Sequence, residues 1–275
     1  MKILVIGASG MLAKPVIKKL DKEGFQLRLF SRTVRNSLFE KDYDIIQGNV
    51  FNVSDLDRAM SGCDAVHISL SNIDEAKATE AIIESAKKHR IKIISYVSGC
   101  TVSNENRWFK MIDNKYRAEQ TIIESGISYI IFRPTWFFES LDLMVRNGKA
   151  IIIGKQPNPS HWVAADDFAR MIATAYKKSE ALNKIFYIIG PETFLMKELL
   201  ERYIQENFAA IKKVSSVPIG MIKIIAMLTC NKQLRNAAEL FAYFEKVKEV
   251  RNTDETNLLL GKPEITFDQW LLINR

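Results

Sequence analysis

The chain has 275 residues, 47% of them hydrophobic, which allows one substantial core and leaves no room for a second enzyme. Its formal net charge of +7 is carried by dispersed lysines such as Lys18, Lys19, Lys22, Lys87, Lys88, Lys177 and Lys178. Most sit at expected helix ends, where water and the helix dipole accommodate them, so no nucleic-acid partner is expected. Cys63, Cys100 and Cys230 are odd in number and lack metal-ligand spacing, and no apolar run is long enough to span a bilayer. The expectation is a reduced, cytoplasmic protein with no bound metal, no membrane partner and no signal peptide before Met1.

Met1 to Leu20 reads as a strand, a glycine-rich turn and a helix. Ile3 to Ile6 is continuously apolar and β-branched, as a parallel strand buried on both faces requires. Gly7, Gly10 and Ala13 follow in a G-x-x-G-x-x-A spacing. Gly7 permits the tight turn, Gly10 lets a pyrophosphate approach the backbone, and Ala13 lets the helix pack close to the strand. Ser9, Met11 and Leu12 complete a turn whose N–H groups face the phosphates, which points to a dinucleotide.

Phe25 to Phe30 is the second strand. It ends in Ser31 and Arg32, where an NAD-preferring site places a carboxylate. A hydroxyl and a guanidinium bind a 2′-phosphate, so NADP(H) is favoured, with NAD(H) the alternative; a solvated arginine is the plainer reading. Asp44 to Gln47 is the third strand, with Asn49 and Val50 after it placed for the adenine. Asp64 to Leu70 is the fourth, ending near Ser69 and Leu70. Helix Glu75 to His89 precedes a fifth strand, Ile91 to Val97, then come Ser128 to Phe132 and Ile185 to Ile189.

Strands alternating with helices predict an α/β fold, a Rossmann-type doubly wound parallel sheet. Residues 1–190 form this domain, with a substrate-loop insertion near 134–165. Residues 191–275 form a small, mostly helical C-terminal substrate lobe that is not an independent domain. There, Leu195 to Phe208 reads as a helix, Ile211 to Val217 as a strand or link, and Ile219 to Val247 as two helices. Ile219, Met221, Ile222, Ile225 and Met227, with Arg133 to Glu139, are expected to wall the substrate. Thr266 and Gln269 have capping-box spacing, and Asp167 is expected to cap a helix over Phe168 to Lys177.

The segments GASGMLA, FSR, GNV, YVSG, KYRAEQTIIESGISYIIFRPTWF, DDFARMIATAY and YIIGPETF together resemble the NmrA-like group of atypical short-chain dehydrogenases/reductases. The resemblance implies an NAD(P)-binding Rossmann fold in a group of reductases, quinone oxidoreductases and cofactor-sensing regulators. It matches Lys115 to the family's ribose-holding lysine, and places Ser98 and Pro134 at the cofactor. The family's proton-donating tyrosine lies four residues before that lysine; here Met111 stands there. Tyr116 is rotated by about 100° along the helix and does not replace it. Cys100 occupies the place of the family's serine or threonine, with Thr101 adjacent.

Trp108, Phe109, Trp136, Phe137, Phe138 and Trp162, with Cys100 and Met111, suit an aromatic or quinone-like acceptor, or else a core beneath the terminal lobe. His161 and Thr101 are the candidate proton donors beside Lys115, though a surface histidine is the plainer reading of His161. The expected function is an NADPH-dependent oxidoreductase passing hydride to a small conjugated or quinone-like acceptor without the tyrosine acid. The alternative is a non-catalytic NAD(P)-sensing regulator that binds a protein partner. Monomer and homodimer both stay open.

Overall fold

In the computed structural model, which describes residues 1–71, 74–249 and 252–274, the chain first runs through β1 (Lys2–Ile6), α1 (Ala13–Lys22), β2 (Gln26–Ser31), β3 (Asp44–Gln47) and α2 (Val53–Met60). It continues with β4 (Ala65–Ile68), α3 (Glu75–Lys88), β5 (Ile93–Val97), α4 (Lys110–Ile123) and β6 (Ser128–Pro134). There follow β7 (Trp136–Phe137), β8 (Val145–Arg146), β9 (Lys149–Ile153), β10 (Ser160–Val163), α5 (Ala165–Tyr176), β11 (Lys184–Ile188) and β12 (Glu192–Phe194). The chain closes with α6 (Met196–Asn207), β13 (Val214–Val217), α7 (Ile219–Leu228), α8 (Lys232–Phe244), α9 (Asp254–Leu260) and α10 (Phe267–Ile273).

The first of two units comprises Met1–Pro134, Ala165–Ile188 and Asn252–Lys262. Its seven strands pair in the order β11-β6-β5-β4-β1-β2-β3, every neighbouring pair parallel. Successive side chains point to opposite faces. Leu4, Ile6, Val66, Ile68, Ile94 and Tyr96 therefore enter one core with Leu56, Ile82 and Ala118 from α2, α3 and α4. Each such apolar side chain contributes about 1.5–3 kcal/mol on burial. The intervening residue His67 turns to the other face, where its Nδ1 meets Ser95 Oγ at 2.7 Å and Ser95 Oγ meets the Tyr176 hydroxyl of α5 at 2.7 Å. Burial pushes the His67 pKa down to about 4.

The second unit comprises Thr135–Ala164, Ile189–Arg251 and Pro263–Arg275. It holds two three-stranded sheets, β12-β10-β7 and β13-β9-β8, and a core in which Phe138, Trp162, Leu199, Leu200, Phe267 and Trp270 are enclosed. The capping box opens α10 as its spacing predicts: Gln269 N–H donates to Thr266 Oγ1 at 3.3 Å, and Thr266 N–H donates to Gln269 Oε1 at 2.9 Å.

Two expectations change here. The insertion near 134–165 belongs with the terminal lobe, whereas residues 252–262 return to the first unit. There α9 packs on α5 and β11, with Leu260 and Thr256 buried. Helix α5 begins at Ala165, so Asp167 lies inside its first turn instead of capping it. Its carboxylate favours the helix dipole there and accepts from Arg170 Nη2 at 2.9 Å.

Candidate functional site

Strand order reverses between β1 and β4, which places a crevice beyond their carboxyl ends. Gly7 sits at that point with φ +87°, and a Cβ there would lie 2.0 Å from the Ser69 carbonyl oxygen, so no other residue fits. Its N–H donates to Phe30 O at 2.9 Å, while Ser69 N–H donates to Ile6 O at 3.0 Å, knitting the turn to β2 and β4. Gly10 N–H donates back to Gly7 O at 2.9 Å, and Ala13, fully buried, opens α1. The N–H groups of Ser9, Met11 and Leu12 reach no acceptor among the described residues, and the first turn of α1 carries no acidic side chain. Uncommitted N–H groups at the positive end of a helix form an anion site.

At the end of β2, Ser31 Oγ and Thr33 Oγ1 both donate to Ser9 Oγ at 3.0 Å, and Thr33 N–H donates to Ser31 Oγ at 3.3 Å. Arg32 and Arg35 are exposed, and neither guanidinium has a partner among the described residues. Gln47 Nε2 donates to Val34 O at 2.8 Å and fixes the loop that carries them. After β3, Asn49 is exposed, with its Oδ1 taking the Phe51 N–H at 3.1 Å and its own N–H bonded to Asp55 at 3.0 Å. Val50 turns inward, its side chain packed in the core with Leu56 and Ile68, which leaves only its backbone for a ligand. Leu70 likewise packs against that core.

Beyond β5 the side chains are committed to one another. Ser98 Oγ donates to Glu119 Oε1 at 2.5 Å, and Glu119, fully buried, takes both Nε and Nη2 of Arg133, at 3.0 and 2.5 Å. The Ser98 hydroxyl, expected at the cofactor, thus spends its proton on the buried Glu119 carboxylate. Lys115 Nζ donates to Glu75 Oε2 at 2.9 Å and to Val97 O at 3.2 Å. The Tyr96 hydroxyl donates to the same Glu75 oxygen at 2.6 Å, and burial together with that carboxylate holds the phenol well above its ordinary pKa. Met111, one turn before Lys115, is 36% exposed, and Trp108 is 59% exposed. Cys100 and Thr101 are buried, with Cys100 N–H donating to Pro134 O at 3.0 Å. Tyr116 is turned to Arg107, whose guanidinium lies 4.7 Å from its ring centre.

A sequence model described as NAD(P)H-binding matches residues 7–179, the stretch that begins at Gly7 and takes in the turn, Ser31, Arg32 and Lys115. The chain belongs to this NAD(P)H-binding family. Its cofactor is therefore NAD(P)H, and the residues fit it: the Gly7 position admits no Cβ, and the turn N–H groups and the guanidinia of Arg32 and Arg35 have no partner among the described residues. Among relatives, the photosystem II assembly factor Ycf39 of Cyanophora paradoxa is 24% identical over 250 residues, 84% of this chain and 76% of that protein. Agroclavine dehydrogenase of Claviceps fusiformis is 24% identical over 230 residues, 78% of each.

Two solved structures share the NAD(P)H-binding fold. Citrobacter sp. triphenylmethane reductase complexed with NADP(H) is 17% identical with a TM-score of 0.79 over 100% of both chains. The NADPH-dependent quinone oxidoreductase QOR2 of Escherichia coli, complexed with NADPH, is 18% identical with a TM-score of 0.73, over 100% of this chain and 99% of that one.

Of the residues expected at an acceptor in the second unit, Phe138 and Trp162 are enclosed in its core and Trp136 packs against that core. Phe138 and Trp162 are fully buried, with ring centres 6.4 Å apart, and Phe138 lies 5.5 Å from Trp270 and 5.4 Å from Phe267. Trp136 stacks on Trp162 at 5.6 Å and meets Phe244 at 4.7 Å, and Phe137 is also buried. The signal was in the sequence: Phe241 with Phe244, and Phe267 with Trp270, are aromatic pairs at helical spacing that need partners. His161 is fastened at both ring nitrogens, Nδ1 to Glu249 at 2.9 Å and Nε2 to Thr193 Oγ1 at 3.0 Å. It ties β10 to β12 and to Glu249. Ile222 is buried, while Met221, Ile225 and Met227 are exposed.

Thr33, Arg35 and Glu75 were not singled out from the sequence. Thr33 and Arg35 stand in the same S-R-T-V-R run as Arg32 and were legible there. Glu75 was not, because its partner Lys115 is 40 residues away.

Proposed function

We propose that this NAD(P)H-binding protein is an NADPH-dependent oxidoreductase that passes hydride to a small conjugated or quinone-like acceptor. The observation that carries the reading is Lys115, its ammonium fixed at the carboxyl end of β5 between Val97 O and Glu75, with Met111 on the same helix face one turn earlier. The cofactor-holding half of the machinery is kept and the acid half is absent.

The N–H groups of Ser9, Met11 and Leu12 hold the pyrophosphate. Ser31, Arg32, Thr33 and Arg35 hold the 2′-phosphate, which selects NADPH. Lys115 spends two of its three N–H bonds within the protein and offers the third to the nicotinamide ribose. When bound, the reduced nicotinamide supplies the hydride. With no acid at position 111, an ordinary ketone forgoes general-acid help typically worth 10²- to 10⁴-fold. A quinone or enone is less demanding, because the anion formed on accepting hydride is delocalised and water can protonate it. Trp108 and Met111 supply exposed apolar area for such a ring.

The second reading, a cofactor-sensing regulator, draws its support from relatives named as assembly factors and from the missing tyrosine. One experiment separates the two: NADPH oxidation followed by absorbance against quinones, enones and simple ketones, for the wild type and Lys115→Ala. Quinone turnover that collapses in Lys115→Ala supports the reductase. Tight NADPH binding with no turnover of any acceptor overturns it in favour of the regulator.

A further inference from the structure

Helix α7, in the second unit, exposes a run of large apolar side chains. Of its ten residues, Met221, Ile224, Ile225, Met227 and Leu228 are 53%, 56%, 40%, 69% and 75% exposed, while Ile222 and Ala226 form a narrow buried strip. At 100° per residue, the five exposed side chains cover about 160° of the helix circumference. A surface helix normally shows water its polar face; this one shows water its apolar face.

The sequence that runs through it is one-sided in charge, although Glu245 lies beside Ile219 at its first residue. From Asn207 to Ala238 the sequence contains no aspartate or glutamate, yet it carries Lys212, Lys213, Lys223, Lys232 and Arg235. All five are exposed, and none pairs with a carboxylate among the described residues. Lys223 lies at the edge of the apolar arc, where its stem can follow the apolar surface while its ammonium stays in water.

We propose that α7 is an interfacial docking helix for an anionic lipid surface. A helix ridge of flexible methionine, isoleucine and leucine side chains bordered by lysines is the pattern that lies in the headgroup plane. A bilayer with anionic headgroups meets both features at once, taking the apolar ridge between acyl chains and the cations at the phosphates. A second copy of the chain would cover the apolar residues but bring the same five cations together on a two-fold axis. The contact is adsorption, not insertion: no helix among the described residues is long and apolar enough to cross a membrane. The expectation of no membrane partner rested on the lack of a spanning segment and does not reach a contact of this kind.

The test is co-sedimentation of the full chain with vesicles of phosphatidylcholine alone and of phosphatidylcholine with phosphatidylglycerol. Binding is expected only to the anionic vesicles, falling as salt rises. It weakens at least tenfold in Met227→Glu/Leu228→Glu, and about fivefold in each of Lys223→Ala and Lys232→Ala. NADPH binding by every variant verifies that it is folded. The lysine variants keep the test valid if the glutamate pair unfolds the protein. Three outcomes overturn the proposal: no sedimentation with either vesicle, equal binding to neutral vesicles, or a wild-type dimer that the glutamate pair dissociates while vesicles stay unbound.

Discussion

The carboxyl ends of β1 and β2 and the carboxyl end of β5 lie in the same parallel sheet and use their polar groups in opposite ways. At the first, the N–H groups of Ser9, Met11 and Leu12 and the guanidinia of Arg32 and Arg35 have no partner among the described residues. At the second, Ser98, Glu119 and Arg133 form one buried network and Lys115, Glu75 and Tyr96 another. Donors left open at a helix N-terminus are available to an anionic ligand. Donors closed on one another stabilise the fold. The two ends of the sheet therefore differ in how many polar groups remain available: open at β1 and β2, paired within the protein at β5.

The sharpest way to break the open end is Gly7→Ala. Its Cβ would collide with the Ser69 carbonyl at a backbone angle that alanine resists, so NADPH affinity should fall more than about a hundredfold in a fluorescence titration. An unchanged affinity would remove Gly7 from the site. The closed end is probed by Glu119→Ala, which takes away the carboxylate paired with Arg133 and leaves its guanidinium the Tyr187 hydroxyl. Chemical denaturation should show a loss of about 3–5 kcal/mol, with NADPH affinity of the folded fraction preserved.

His67, on the strand that ends at the crevice, gives the next effect. Folding holds it neutral with a pKa of about 4, whereas the unfolded chain takes up a proton near 6.5. Its contribution is present above that unfolded value and is lost as pH falls from about 6.5 to about 4, a loss of about 3 kcal/mol. Urea midpoints measured across this window should drop for the wild type and flatten for His67→Leu. The smallest effect is Arg32→Ala. Losing a charged phosphate contact should weaken NADPH by about tenfold to a hundredfold and leave NADH unchanged in calorimetry. Equal losses for both cofactors would mean that Arg32 does not read the 2′-phosphate.

What the sequence determined by itself was local. The buried β-branched runs of β1 and β5, the strand Asp44–Gln47, the helix opening at Glu75, the Thr266 capping box and the glycine turn each follow from residues within a few positions of one another. Periodicity and spacing report such neighbours directly.

Only the tertiary structure decided the long-range partners. Glu75 reached Lys115, Ser98 reached Glu119 and Arg133, and Glu249 reached His161, 88 residues away. The aromatic residues show the same division. Their density after the strands was legible, but whether Trp162 and Phe138 faced a ligand or one another depended on α8 and α10 arriving with Phe241, Phe244, Phe267 and Trp270. The physical reason is that a side chain's chemistry is written in the sequence, whereas its availability depends on which distant group satisfies it first.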